Sequence, residues 1–174
     1  MNNKIRKLVL SAMFAALACV ATMVIQIPSP MNGYVNLGDC IVLICGWVLG
    51  PLYGGLAAGI GVMAADMFSG YMHYAIGTFI IKGAMAVCAY YIYTALMNTT
   101  GKRIISCIAS GFISEVIMIL GYFGYAGLLL GNGLGAAASI PGNIVQGIVG
   151  LAAGCLVFEL LMRDKKLKGT IESL

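Results

Sequence analysis

Apolar residues come in long runs along this chain, separated by short breaks rich in glycine, proline or polar residues. Reading each break as a turn predicts six helices, over about residues 5–26, 38–49, 52–68, 74–97, 104–128 and 137–162. Pro28 and Pro30 stop the first helix, because proline lacks the N–H and clashes with the preceding turn. Residues 27–37 then form a loop, and Gly50-Pro51 divides the second helix from the third. Ser69 to His73 makes a tight turn, Asn98 to Arg103 a polar loop, and Leu130 to Gly135 a glycine-rich one. A run of about 20 apolar residues spans the hydrocarbon core of a bilayer. The expected fold is an all-α integral membrane bundle of six transmembrane helices, forming a single membrane domain over residues 1–174.

Composition agrees: 61% of residues are hydrophobic, 9% are charged, and the mean hydropathy is +0.98. A soluble domain carries about 25% charged residues. Lys4, Arg6 and Lys7, then Lys102 and Arg103, then Arg163, Lys165, Lys166 and Lys168 hold all the basic charge except Lys82. Basic residues stay on the cytoplasmic side, so both termini are expected inside, in a multi-pass protein of the bacterial cell membrane. These clusters are short flanks of apolar runs, so no nucleic acid is expected as a partner. The N-terminal run continues past Cys19 to Ile25, too far for a cleaved leader, and reads as a first transmembrane helix.

Little chain is left for a domain outside the bilayer, so any energy-coupling machinery must belong to a partner. Lys82 is not preceded by a phosphate-binding glycine loop, and a single histidine excludes HExxH. The six cysteines show no CxxC pair and read as small packing residues. The chain is therefore expected to be neither an ATPase nor another enzyme, and to need no metal or cofactor.

Polar side chains inside apolar runs carry the remaining signal. An ionisable group at mid-bilayer costs about 2.5–3.5 kcal/mol on the mildest scale, yet Asp39, Asp66, His73 and Lys82 all fall between Gly33 and Ala86. Lys82 lies roughly 10 Å below the outer end of its helix, at a depth where it can pair with Asp66 or with Glu115. Asn143 and Gln146 are three apart and share a helix face. Their carboxamides both donate and accept, which suits a heteroaromatic ligand. Asn36, Tyr71, His73 and Tyr122 fall at the same outer level, as do Tyr34 and Tyr125. The candidate substrate site is thus Asn36, Asp66, Tyr71, His73, Lys82, Glu115, Tyr122, Asn143 and Gln146. A structural ion pair, helix–helix glue and interfacial tyrosine anchors are the competing readings. Trp47 reads as an interfacial anchor.

Small residues at helical spacing let helices approach closely in a bilayer. Gly46, Gly50 and Gly54 read as internal packing. Ala12 and Ala16, with Ala15 and Cys19 on an adjacent stripe, suit either internal packing or a docking face for another protein.

The string NLGD…GxxLGPLYGGLAAGIG…AD…GYxxYAxGTFIIKGxMA, followed by PGNIVQGxxG, resembles the substrate-binding S components of energy-coupling factor (ECF) vitamin transporters. It is most similar to their riboflavin-transporter-type branch, over about residues 5–160. The resemblance implies six helices, both termini inside, and an outward pocket for a small water-soluble vitamin or precursor. It implies that the AxxxA motif at Ala12 and Ala16 docks onto a transmembrane coupling protein, with two cytoplasmic ATPases supplying energy. It also implies that the protein topples in the membrane to carry its ligand inward. Members of the branch are associated with riboflavin, pyridoxine-type and hydroxymethylpyrimidine-type compounds. The deep positions hold few aromatics, which favours a B6-type or pyrimidine-type compound over riboflavin. The alternatives are a self-sufficient carrier with Glu115 or Asp66 as a proton site, and a membrane scaffold that transports nothing.

Overall fold

The computed structural model describes residues 3–29 and 33–172. Pro30, at the predicted stop of the first helix, lies outside them. The chain runs through α1 (Asn3–Val24), the strands β1 (Ile27–Ser29) and β2 (Gly33–Val35), then α2 (Gly38–Phe68), α3 (Met72–Thr100) and α4 (Arg103–Gly124). One π-helical turn (Tyr125–Leu129) and a 3₁₀ segment (Gly133–Ser139) lead into α5 (Ile140–Arg163) and a short terminal α6 (Lys165–Glu172). Among the described residues, five helical stretches are long and apolar enough to cross a membrane. Their outward faces carry large apolar side chains such as Leu8, Leu52, Ile80, Phe112, Leu120 and Leu156. That is the pattern of a bundle whose surroundings are as apolar as its surface.

Gly50 interrupts α2 with φ 81° and ψ −176°, just before Pro51. This left-handed backbone conformation favours glycine, and it turns the chain back on itself. A Cβ added at Gly54 would lie 2.3 Å from the Cys45 carbonyl oxygen, whereas a straight helix would hold those residues about 13 Å apart. α2 is therefore two antiparallel arms, 38–49 and 51–68, matching the two helices expected there. The first arm is only about 18 Å long and the second about 27 Å. Asp39, near the start of the short arm, consequently sits deeper in the bundle than Asp66, near the end of the long one.

Close backbone approach fixes the neighbours. A Cβ at Gly46 would strike the Ala86 carbonyl of α3 at 2.3 Å, and one at Gly61 the Ala15 carbonyl of α1 at the same distance. Packing and dispersion, rather than water exclusion, then hold these helices together. Trp47 corrects its expected role: it is buried, lies against Phe158 with ring centroids 5.2 Å apart, and donates from Nε1 to Ser110 Oγ at 3.1 Å. A buried indole N–H needs such an acceptor, and the serine face of α4 supplies it.

Three differences from expectation lie in the connections. Ile27–Ser29 and Gly33–Val35, both in the expected loop, pair instead as antiparallel strands, Ile27 opposite Val35. The fifth predicted helix gives up α geometry after Gly124, and the 3₁₀ segment occupies part of the expected loop and the start of the sixth helix. The basic tail folds as α6, where Asp164 Oδ1 accepts the Lys166 and Leu167 N–H groups at 2.8 and 2.9 Å as an N-cap.

The basic clusters meet at one end of the bundle. Arg6 reaches the Thr170 carbonyl, while Arg103 and Arg163 flank Glu159 at 3.3 and 3.8 Å. The hairpin, the α2–α3 turn and the start of α5 lie at the other end.

Candidate functional site

At the end away from the basic clusters, a polar cleft opens between the strands, α2, α3, α4 and the entry to α5. Its position follows from the short arm of α2. That helix begins well inside the bundle, and residues 33–37 descend to meet it without helical hydrogen bonds. Non-helical backbone at membrane depth must find partners in the protein. Gln146 Oε1 accepts both the Asn36 backbone N–H at 2.9 Å and Asn36 Nδ2 at 3.3 Å, and Asn36 Oδ1 accepts the Gly38 N–H at 2.8 Å.

This floor continues into a charged pair. Gln146 Nε2 donates to Asp39 Oδ2 at 2.7 Å, and Lys82 Nζ donates to Asp39 Oδ1. Lys82 and Asp39 are both 0% exposed. The pairing expected for Lys82, with Asp66 or Glu115, is thus replaced by one with Asp39. Asp39 lies in the first turn of α2, where the helix N-terminus also stabilises its negative charge. Three elements are tied together here: α2, α3 and α5.

The walls rise from this floor. β1 and β2 give Ser29, Gly33 and Tyr34, and α2 gives Val62 and Asp66. Tyr74 and Thr78 come from α3, Tyr122 from the end of α4, and Ser139, Asn143 and Gln146 from the entry to α5. Tyr34 donates its hydroxyl to Asp66 Oδ1 at 2.6 Å and lies against Tyr71, ring centroids 4.6 Å apart. Burial, the neighbouring Asp66 charge and this hydrogen bond raise the Tyr34 phenol well above its ordinary pKa, so it stays a donor. Thr78 and Tyr122 share a hydrogen bond at 3.1 Å. Gln26 on Ser69 at 2.8 Å, and Tyr125 on the His73 carbonyl at 2.8 Å, brace the rim.

Of the nine residues expected to bind substrate, Asn36, Asp66, Tyr122, Asn143 and Gln146 line the cleft. Lys82 lies beneath it, held by Asp39. Tyr71 backs Tyr34, and His73 is exposed, its ring tilted against Tyr74 with centroids 4.7 Å apart. Glu115 sits elsewhere. Its carboxyl lies against Gly147 and Gly150 and lines a separate, mostly apolar groove between α4 and α5. The helical phase of α4 aims it at the α5 glycines, which leave room for it.

Asp39 and Tyr34 lie outside the expected site but belong to its floor and wall, and Ser29, Thr78 and Ser139 join them from positions that carry no signal in the sequence. A short arm between Gly38 and Gly50 was the available signal for Asp39. For the serines and Thr78 no pattern distinguishes a wall from ordinary packing. On α1, Ala12 and Ala16 face outward, Ala15 packs on Gly61, and Cys19 is half-buried with Sγ 3.8 Å from Met23 Sδ.

Comparison with known proteins gives the family. A family model described as ECF-type riboflavin transporter, S component, matches residues 2–163. A protein of Pyrococcus woesei, described as an uncharacterized protein in gap 3′ region, is 35% identical over 78% of this chain and 87% of its own length. The thiamine precursor transporter HmpT of Lactococcus lactis subsp. cremoris (strain MG1363) is 26% identical over 97% of this chain and 95% of its own. The solved structure described under "Structure and mechanism of the S component of a bacterial ECF transporter" superposes with a TM-score of 0.68. It covers 92% of this chain and 97% of that one at 22% identity, a likeness of fold. With nearly its whole length matched, this multi-pass membrane chain belongs to the ECF-type riboflavin transporter S-component family, a family of transporter subunits rather than enzymes.

Proposed function

We propose that the chain is the solute-capturing subunit of an ATP-driven importer, and that its cargo is a small water-soluble heteroaromatic vitamin or precursor. The single observation that carries this reading is the polar cleft opposite the basic end. If the basic end faces the cytoplasm, the cleft opens outward, where such a solute is met. Five apolar arms, with the short first arm of α2 and the strand that descends to it making the sixth passage, would then cross the bilayer with both termini inside.

A B6-type or pyrimidine-type ring is favoured over riboflavin: the carboxamides of Asn36, Asn143 and Gln146, the hydroxyls and the one carboxylate suit a small polar ring held beside the rings of Tyr74 and Tyr122. The thiamine precursor transporter relative supports the same size class. The outward Ala12 and Ala16 form the docking face for a transmembrane coupling protein, to which two cytoplasmic ATPases bind; the seat of Ala15 on Gly61 assigns that residue to internal packing.

Native mass spectrometry of the purified protein, followed by titration with the released compound, tests capture. Uptake in liposomes with and without the coupling protein and ATPases tests energy supply. Gradient-driven uptake by the chain alone would instead establish a secondary carrier, a reading favoured by the buried Glu115 carboxyl. Both its oxygens lack a hydrogen-bond partner among the described residues.

A further inference from the structure

α4 and α5 run antiparallel, and the contacts between them repeat every four residues. Arg103 meets Glu159 at 3.3 Å. A Cβ built at Gly111 would lie 2.4 Å from Leu151 Cδ1, and one at Gly147 would lie 3.2 Å from Glu115 Cβ. Residues four apart share a helix face, so these contacts are rungs of one seam. The rung between 103/159 and 111/151 belongs to Cys107 and Cys155. Both are free thiols, and they interact across the seam. The backbones are close enough to join: at the Gly147 rung the Cβ separation already falls below the roughly 3.5–4.5 Å of a disulfide.

Arg103 and Glu159 face the pair from one turn nearer the basic end, where they hold each other. Cys40, at the start of α2, approaches from a third side: a Cβ at Gly154 would stand 3.4 Å from its carbonyl oxygen. Among the described residues, no three Cys, His, Asp or Glu side chains converge as a metal centre. Two facing donors suit disulfide chemistry better than a metal, which takes three or four protein ligands. Cys107 is 3% exposed, whereas Cys155 is half-buried. Ile108 and Leu156, their neighbours in the chain, are exposed apolar side chains, so an oxidant that reaches the pair is lipid-soluble.

We propose that Cys107 and Cys155 are a reversible oxidation site, a clasp that fastens α4 to α5 when the bilayer carries an organic hydroperoxide. Cys155, the more accessible thiol, attacks the O–O bond as its thiolate. It gains one oxygen as a sulfenic acid, and the alkoxide that leaves takes the thiol proton to become an alcohol. The Cys107 sulfur then attacks the sulfenic sulfur to form the S–S bond, and the hydroxide that leaves takes the Cys107 proton as water. The two thiols lose two electrons and the peroxide gains them. A dithiol reductant reverses the clasp by exchange. Tyr122, on the cleft wall, lies about 22 Å further along α4, so closure leaves the cleft untouched.

The test treats purified full-length protein in detergent with cumene hydroperoxide, denatures it, and alkylates the remaining thiols with N-ethylmaleimide. Four of the six cysteines are expected to be alkylated, with peptide mapping joining 107 to 155 and dithiothreitol restoring all six. The oxidised protein should melt roughly 5 °C or more above the reduced one, because the cross-link restricts the unfolded chain. Cys107→Ser should abolish both the cross-link and the rise in melting temperature. Alkylation of all six cysteines after oxidation overturns the proposal, as does a cross-link from Cys155 to Cys40 in its place. An oxidised protein that melts no higher than the reduced one overturns the clasp as well. The wild-type mapping stands even if the variant does not fold.

Discussion

The floor and the walls of the cleft are built from the same kinds of side chain and differ in whether their hydrogen bonds are closed. On the floor, Lys82, Asp39, Gln146 and Asn36 use one another up, and a stretch of irregular backbone is satisfied with them. On the walls, Asp66 and Ser29 each keep an unpaired buried oxygen, and Asn143 keeps its carboxamide. A closed network at depth specifies the fold. An open one a few ångströms above it is capacity left for something that arrives.

This contrast can be broken by experiment, and the largest effect belongs to the floor. Lys82→Ala strands the Asp39 carboxylate and should cost about 3–5 kcal/mol of stability, measured by unfolding in detergent. If Lys82 instead served the ligand, stability would hold and only affinity would fall. Replacing both partners, Lys82→Met with Asp39→Asn, should recover most of that loss, because Asn keeps an acceptor for Gln146 and no lone charge remains.

Gln146→Leu comes next, at about 1–3 kcal/mol, since it leaves the Asn36 N–H and Asp39 Oδ2 without partners. On the walls, Asn143→Ala should change stability by less than about 0.5 kcal/mol while weakening ligand binding roughly tenfold. Tyr34→Phe should be smallest: a few-fold loss of affinity in the same titration, as one neutral donor to Asp66 disappears. A reversed order, with wall variants unfolding and floor variants merely binding poorly, would overturn the division.

The same contrast explains what could be read without coordinates. Helix positions followed from apolar runs and breakers, and the basic clusters pointed to one end of the bundle. The Gly50-Pro51 break was legible because left-handed backbone and a missing N–H both leave marks on composition. Partner choice was not legible. Lys82 can, as text, be matched with any of several carboxylates, and the choice of Asp39 depends on the unequal arms of α2. Glu115 points away from the cleft for a related reason: its face is set by Gly147 and Gly150, which an argument from depth alone ignores. Trp47 was read as an anchor because an indole near a helix end usually is one; the serine face of α4 made burial affordable.

The stunted first arm of α2 has a consequence for how such a pocket is altered. A membrane bundle with every rod at full length has no vacancy inside, so the receptacle here is the volume of the turns that arm lacks. Extending it at its amino end would plug the receptacle with the protein's own backbone. Trimming it would enlarge the chamber but remove Asp39, the counter-ion that keeps Lys82 in place. The dimensions of the cargo are thereby tied to the seat of a single buried lysine.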